Sequence, residues 1–261
     1  MRKVLILGCG PSGLLAAHAA VKLGHLPIIV SVKRPSQLFG CQYLHSSIPD
    51  VTVHDPKIVN YELRGTAEEY AEKVYGPEEA MAASTVSPST LPVQHFAWDI
   101  RSAYGQLWLK YSRNIRDVRV FARDIEPMID YYQPDVTFST IPAPLMCVDP
   151  MHNFRSTKCW AIGDAPEIGQ KTREVAPPYT IVCDGTKDQG YYRASNVFGY
   201  QTVEWPGWRN RPPVSGVVDF LKPLATNCDC WPQVTRIGRM GKWRKGVLAH
   251  EAYEEVWKRL S

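Results

Sequence analysis

Long apolar runs are absent from this chain of 261 residues: no segment approaches the ~20 consecutive residues that a membrane helix needs. Basic Arg2 and Lys3 precede Val4-Leu5-Ile6-Leu7, but that run ends at Leu7, short of the ~7–15 residues of a secretory core segment. It reads as a first strand, and a cytoplasmic protein with no membrane partner is expected. No Cys-x-x-Cys pair occurs, which argues against a disulfide reductase. The seven cysteines are odd in number and dispersed, which suits a reducing compartment better than a disulfide scaffold. Cys228-Asp229-Cys230 has no second matching pair in the sequence, so buried thiols and no metal site are expected there. Charge of one sign is not in excess either. A net charge of +4 permits an anionic ligand or a nucleic acid and demands neither. Internal repeats and a linker separating two independent domains are also missing.

What is present is an ordinary globular composition, 44% hydrophobic and 21% charged, with mass enough for a buried core. Twenty-one prolines, eight tryptophans and thirteen tyrosines predict many loops and aromatic-lined surfaces.

The opening is the most informative segment. Lys3 to Leu7 fits a strand buried on both faces, Leu14 to Leu23 an Ala-rich helix closed by Gly24, and Pro27 to Val32 a second strand. Between the first strand and the helix stands Gly8-Cys9-Gly10-Pro11-Ser12-Gly13. In this setting the first glycine allows a tight turn, the second lets the backbone approach a pyrophosphate, and the third lets the helix pack on the sheet. The helix N-terminus adds free N–H groups and partial positive charge for phosphates. The second strand ends in Ser31-Val32-Lys33-Arg34 rather than in the usual acidic residue. Ser31 is a candidate for a ribose hydroxyl, while Lys33 and Arg34 suggest a 2′-phosphate, so the loop leaves FAD and NADP both open.

Further along, strands are expected at Lys57–Leu63, Val118–Ala122, Asp135–Thr140, Cys159–Ile162 and Val234–Ile237. Helices are expected at Thr66–Val74, Trp98–Tyr111 and Val247–Leu260, and Pro77–Pro92 reads as a helix followed by a polar loop.

Lys158-Cys159-Trp160-Ala161-Ile162-Gly163-Asp164 resembles the second dinucleotide fingerprint of the glutathione-reductase-type flavoproteins. That resemblance implies FAD, with the Asp164 carboxylate accepting from a ribityl hydroxyl. The chain is too short for the second, full NAD(P)H domain of that kind. Arg236-Ile237-Gly238-Arg239 through Lys245-Gly246-Val247 is similar to the C-terminal element of UDP-galactopyranose mutases. There a Gly-Arg loop leads to a helix start beneath the flavin ring, where it stabilises negative charge on reduced flavin. The same cations, interleaved with Trp243, also suit a nucleic-acid backbone. Gly40-Cys41-Gln42-Tyr43-Leu44-His45 follows the second strand where this fold often meets the flavin. Tyr43 and His45 are therefore candidate pocket groups, with His45 a proton carrier.

Over nearly its full length the chain also resembles a group of small bacteriophage flavoproteins. The carrying segments are Gly40–Pro49, Ala161–Glu167, Tyr191–Ser195 and Asn227–Pro232. Some of that group are implicated in thymidine hypermodification, as FAD-dependent lyases that break an amino-acid C–N bond on a modified base. The resemblance implies a modified-nucleotide or small-molecule substrate, DNA as a partner and the host cytoplasm as location.

The expectation is thus an α/β fold: a Rossmann-like FAD-binding domain with a parallel sheet (1–45, 130–175, 225–261) and a substrate-facing region (46–129, 176–224). FAD contacts are assigned to Gly8, Gly10, Pro11, Ser12, Gly13, Ser31, Lys33, Gly40, Gln42, Gly163, Asp164, Gly238, Arg239, Lys245, Gly246 and Val247. Catalysis is assigned to His45 and Tyr43. The reaction expected is oxidation of a C–N bond next to an amine. A redox-neutral sugar-mutase reaction and a non-catalytic dinucleotide- or DNA-binding module are the alternatives.

Overall fold

A computed structural model describes residues 1–77, 94–163 and 176–261. Five strands, β1 (Lys3–Leu7), β2 (Leu26–Ser31), β5 (Ile115–Asp117), β6 (Val136–Ser139) and β12 (Val234–Arg236), form one sheet in the order β12-β6-β1-β2-β5. Every pairing in it is parallel. Parallel strands need both faces covered, and the run Val4-Leu5-Ile6-Leu7 is buried throughout for that reason. Val4 and Ile6 point into a core shared with helices α1 (Pro11–Lys22), α3 (Ile100–Tyr111) and α6 (Glu251–Leu260). Leu5 and Leu7 point the other way, into a smaller core that includes Ile125 at the head of helix α4 (Ile125–Tyr132). The fold is therefore Rossmann-like α/β with helices on both faces, as the sequence predicts.

Alanines at 16, 17, 19 and 20 of α1 are fully buried, which lets its neighbours approach closely. His18 on the same helix is an ordinary satisfied core histidine. Its Nδ1 lies 2.9 Å from the Tyr111 hydroxyl and its Nε2 2.9 Å from the Pro49 carbonyl oxygen.

The remaining strands are β3 (Lys57–Arg64), β4 (Gln94–Ala97), β7 (Phe154–Gly163), β8 (Thr180–Asp184), β9 (Arg193–Val197), β10 (Tyr200–Pro206) and β11 (Val218–Thr226). They form a second sheet ordered β11-β7-β10-β9-β8-β3-β4, antiparallel except between β3 and β8. Phe198 and Gly199, both with positive φ, make the two-residue hairpin between β9 and β10. Helix α2 (Ala67–Tyr75) begins with a capping box between Thr66 and Glu69. It lays Tyr70 and Val74 against Tyr192 and Cys159 on one face of this sheet.

The two sheets do not divide the chain at the expected boundaries. β5, within 46–129, completes the edge of the parallel sheet, while β7, within 130–175, belongs to the second sheet. The strand expected at Val118–Ala122 is β5 instead, three residues earlier, and α4 follows it unannounced. The closing helix begins at Glu251 rather than Val247, and a separate short helix α5 (Gly238–Lys242) follows β12 directly. Most of Pro77–Pro92 lies outside the described residues.

Candidate functional site

The glycine loop takes the form its spacing predicts. Gly8 has φ +105°, and a Cβ there would stand 2.3 Å from the Thr140 hydroxyl oxygen. A Cβ on Gly13 would lie 2.1 Å from the Gly8 carbonyl oxygen, so only glycine lets α1 start this close to the strand end. Gly10 differs: the nearest atom to an added Cβ is Ser36 Oγ at 3.5 Å. Among the described residues, the backbone at Gly10 borders open space rather than packed protein. Pro11 occupies the first turn of α1, where a missing N–H costs nothing.

Two further strand ends meet this loop. Beside β2, Ser31 pairs with Asp117 at the end of β5, and the Lys33 N–H donates to Asp117 Oδ1 at 2.8 Å. A carboxylate thus stands at the end of β2 after all, supplied by the neighbouring strand. The second strand end is that of β12. Gly238 has φ +66°, and a Cβ there would be 2.6 Å from Ser12 Oγ. A Cβ on Gly241 would be 2.5 Å from the Ser139 carbonyl oxygen. The Gly-Arg turn is therefore seated against the glycine loop. Next to Gly238, the Arg239 Nε is buried with no hydrogen-bond partner among the described residues. Burial, then repulsion from Arg193, lowers the Arg239 pKa.

The second sheet supplies a charged floor. Glu204 on β10 is 1% exposed and bonds Arg193 of β9 through both carboxylate oxygens, at 2.5 and 2.6 Å. It also accepts from Lys222 of β11 and, at 2.6 Å, from the Tyr192 hydroxyl. Burial alone would raise the Glu204 carboxyl, but Arg193 and Lys222 override it and hold the group well below the usual range. The loop after β2 rests on this cluster. The Cys41 N–H donates to Glu204 Oε1 at 3.2 Å, and a Cβ on Gly40 would stand 2.5 Å from the same oxygen. Arg101 of α3 fastens the loop from the other side through the carbonyls of Leu38 and Gly40. Gln42 closes the turn internally, donating to the Phe39 carbonyl at 2.7 Å.

Tyr43 and His45 are brought together, their rings stacked at 4.3 Å. The Tyr43 hydroxyl bonds Tyr61 of β3 at 2.6 Å, and burial drives the Tyr43 pKa far upward. His45 also faces His95 of β4 at 5.0 Å and His250, before α6, at 5.9 Å. Burial, then the two neighbouring imidazoles, push His45 down to about 4. It is a neutral ring near pH 7, suited to hydrogen bonding and poorly matched to carrying protons at that pH. Sequence reading missed His95 and His250, because nothing local marks three histidines from separate elements as neighbours.

Other expectations are corrected. Gly163 ends β7, which is antiparallel in the second sheet, and among the described residues an added Cβ would meet only Thr202. Among the described residues, the end of β12 is seated on the glycine loop through its Gly238-Arg239 turn. Asp164 itself lies outside the described residues. Lys245, Gly246 and Val247 do not begin a helix; they form the link between α5 and α6, with the Lys245 ammonium 4.4 Å from the Tyr75 ring centre. Cys228 and Cys230, expected as buried thiols, are half-buried, with Cys147 and His152 beside them.

No protein-family model and no curated protein matches this chain. Solved structures do resemble it. Reduced UDP-galactopyranose mutase superposes with a TM-score of 0.57 at 13% identity, over 100% of this chain and 93% of that one. The flavin-dependent halogenase BrvH from Brevundimonas sp. BAL3 gives 0.54 at 12% identity, over 100% and 71%. A flavoprotein/dehydrogenase from Cytophaga hutchinsonii gives 0.51 at 11%, over 98% and 76%. At such identities the likeness defines the fold, a Rossmann-like α/β sheet joined to a large second sheet.

Proposed function

We propose that this protein is an FAD-dependent enzyme of the oxidoreductase type. The observation that carries the reading is the meeting of the Gly238-Arg239 turn with Ser12 of the glycine loop. The residues fit the cofactor on three counts. Among the described residues, Gly10 leaves its face open, the carboxylate of Asp117 stands beside Ser31 and Lys33, and Arg239 has a buried, unpartnered Nε. Flavin-binding is also what the names of the halogenase and the dehydrogenase above describe for those proteins.

Gly8 to Gly13 would hold the pyrophosphate through backbone N–H groups, and Ser31, Lys33 and Asp117 would hold the adenosine ribose. Gly238 and Arg239 would lie at the flavin end, where the guanidinium supports negative charge. Bound flavin supplies two-electron chemistry by accepting a hydride from substrate. Tyr43, Tyr61, His45, His95 and His250 form the polar, largely uncharged wall, and the Glu204 cluster fixes the loop that carries Tyr43 and His45.

The finer reading is oxidation at a carbon next to an amine nitrogen, on a small molecule or on an amino-acid-modified thymidine in phage DNA. Its support is the neutral imidazole group, which leaves an amine substrate without a competing cation on that wall. A redox-neutral sugar-mutase reaction is the second reading, favoured by the Gly-Arg turn. The visible spectrum of the purified protein is the direct test. Oxidised-flavin bands, with FAD released by heat, are expected; a colourless protein that FAD cannot reconstitute refutes the reading. Anaerobic bleaching by an aminoacyl-thymidine, against binding of a nucleotide-sugar to the reduced protein, separates the two substrate classes.

A further inference from the structure

Three half-buried cysteines and one histidine converge on the flank of the parallel sheet. Cys147 and His152 come from the loop between β6 and β7, while Cys228 and Cys230 come from the loop between β11 and β12. One ligand atom from each lies within 4.8 Å of all the others. Cys147 Sγ is 3.3 Å from His152 Nδ1 and 3.9 Å from Cys230 Sγ, and Cys230 Sγ is 3.5 Å from His152 Nδ1. Around a tetrahedral zinc, bond lengths of ~2.3 Å to sulfur and ~2.0 Å to nitrogen place neighbouring ligands roughly 3.5–3.8 Å apart. These three spacings are close to that pattern, and the 3.9 Å between Cys147 and Cys230 sulfurs is far too long for a disulfide.

The surroundings match as well. If His152 Nδ1 is a ligand, its Nε2–H must find an acceptor. Asp229 Oδ1 at 3.4 Å and Asp149 Oδ2 at 3.6 Å both face it. Arg236 Nη2 donates to Cys228 Sγ at 3.1 Å, and the same guanidinium bonds the carbonyls of Cys228 and Cys230 at 2.9 Å. Three thiolates around a divalent cation carry one net negative charge, and Arg236 is placed to neutralise it. The backbone is held apart from any metal. The Asn153 N–H donates to Asn227 Oδ1 at 2.7 Å, the Thr226 hydroxyl to the Asn153 carbonyl at 2.8 Å, and Trp231 Nε1 to the Met146 carbonyl at 2.6 Å.

We propose that Cys147, His152, Cys228 and Cys230 bind a structural zinc ion that clamps the loop after β6 to the loop leading into β12. Four protein ligands leave no open position, so the metal acts on the fold and not on a substrate. The clamp fixes the approach to β12, the strand whose end carries Gly238. The inference is independent of the flavin reading, since a colourless protein that binds zinc would still bear it out.

The test uses untagged full-length protein kept reduced throughout. Elemental analysis is expected to find about one zinc per chain. Protein stripped by a chelator and titrated with cobalt(II) is expected to show thiolate-to-cobalt charge transfer and the intense visible bands of a tetrahedral site, both erased by zinc. Cys228→Ser is expected to lose most of the metal. Asp229→Ala, which keeps all four ligands, is expected to weaken zinc binding ~10-fold or more through the loss of an orienting carboxylate. A wild-type chain that holds no zinc and gives no thiolate–cobalt bands overturns the proposal. So does a six-coordinate oxygen-type cobalt spectrum, or a Cys147–Cys230 disulfide found by mass spectrometry in protein purified under nitrogen.

Discussion

The Tyr104 hydroxyl donates to the Cys9 carbonyl at 3.1 Å and accepts from the Ser36 N–H at 2.9 Å, so one side chain on α3 ties together the chain after β1 and the chain after β2. Tyr104→Phe leaves both backbone groups without that partner. A loss of about 1–3 kcal/mol in urea-unfolding free energy is expected, together with weaker flavin retention. Unchanged stability and unchanged flavin content would show that the hydroxyl is not a latch.

Two alanine substitutions separate folding from cofactor binding. Gly13→Ala forces a methyl onto the Gly8 carbonyl and is expected to lower the melting temperature as well as the flavin content. Among the described residues Gly10→Ala meets only Ser36, and it is expected to keep the melting temperature of the flavin-free protein while losing flavin. If Gly10→Ala binds FAD as tightly as the parent, the pyrophosphate does not lie over this loop.

Glu204→Gln keeps the shape of the side chain and removes the charge that offsets Arg193 and Lys222. Stranding two cations around a buried neutral amide is expected to cost about 3–5 kcal/mol, read by chemical denaturation. A change below ~1 kcal/mol would mean that water or an anion already serves those cations.

Acid sensitivity follows from the histidine wall. His45 titrates near 4 in the folded chain against 6.5 for a free imidazole, and His95 and His250 are lowered in the same direction by burial. Between those values the unfolded chain binds more protons, so stability falls as pH drops from about 6.5 toward 4. Glu204, whose folded pKa is depressed, adds its own loss only below its ordinary 4.5. The upper part of the window therefore belongs to the histidines. His45→Asn should flatten the pH dependence of unfolding there; an unaltered slope would assign it to other groups.

How much of this was legible depended on range. Gly8, Gly10 and Gly13 were readable because strand, turn and helix are consecutive, and every constraint lies within a few residues. The Gly238-Arg239 turn was readable for the same reason. β7 was not, because an apolar run ending in glycine looks alike in either sheet, and only its partners β10 and β11 reveal which one it joins. β5 escaped because Ile115-Arg116-Asp117 is a short edge strand with two exposed charged residues, and the Val118 run beside it reads as more strand-like. Arg193, Glu204 and Lys222 are scattered polar residues in the sequence. They become one cluster around the buried Glu204 only when β9, β10 and β11 converge. Cys147 and His152 likewise gain meaning only from Cys228 and Cys230.

The placement of β12 bears on how the protein is made. The sheet that carries the glycine loop is bordered by the last strand of the chain, next to β6. A nascent polypeptide that has left the ribosome as far as β11 already holds β1, α1 and β2, yet lacks the turn that seats on Ser12. Its loop stays open on that side until β12 and the turn after it have emerged. A chain stopped before β12 would therefore carry the glycine loop without the wall that the Gly238 turn builds against Ser12.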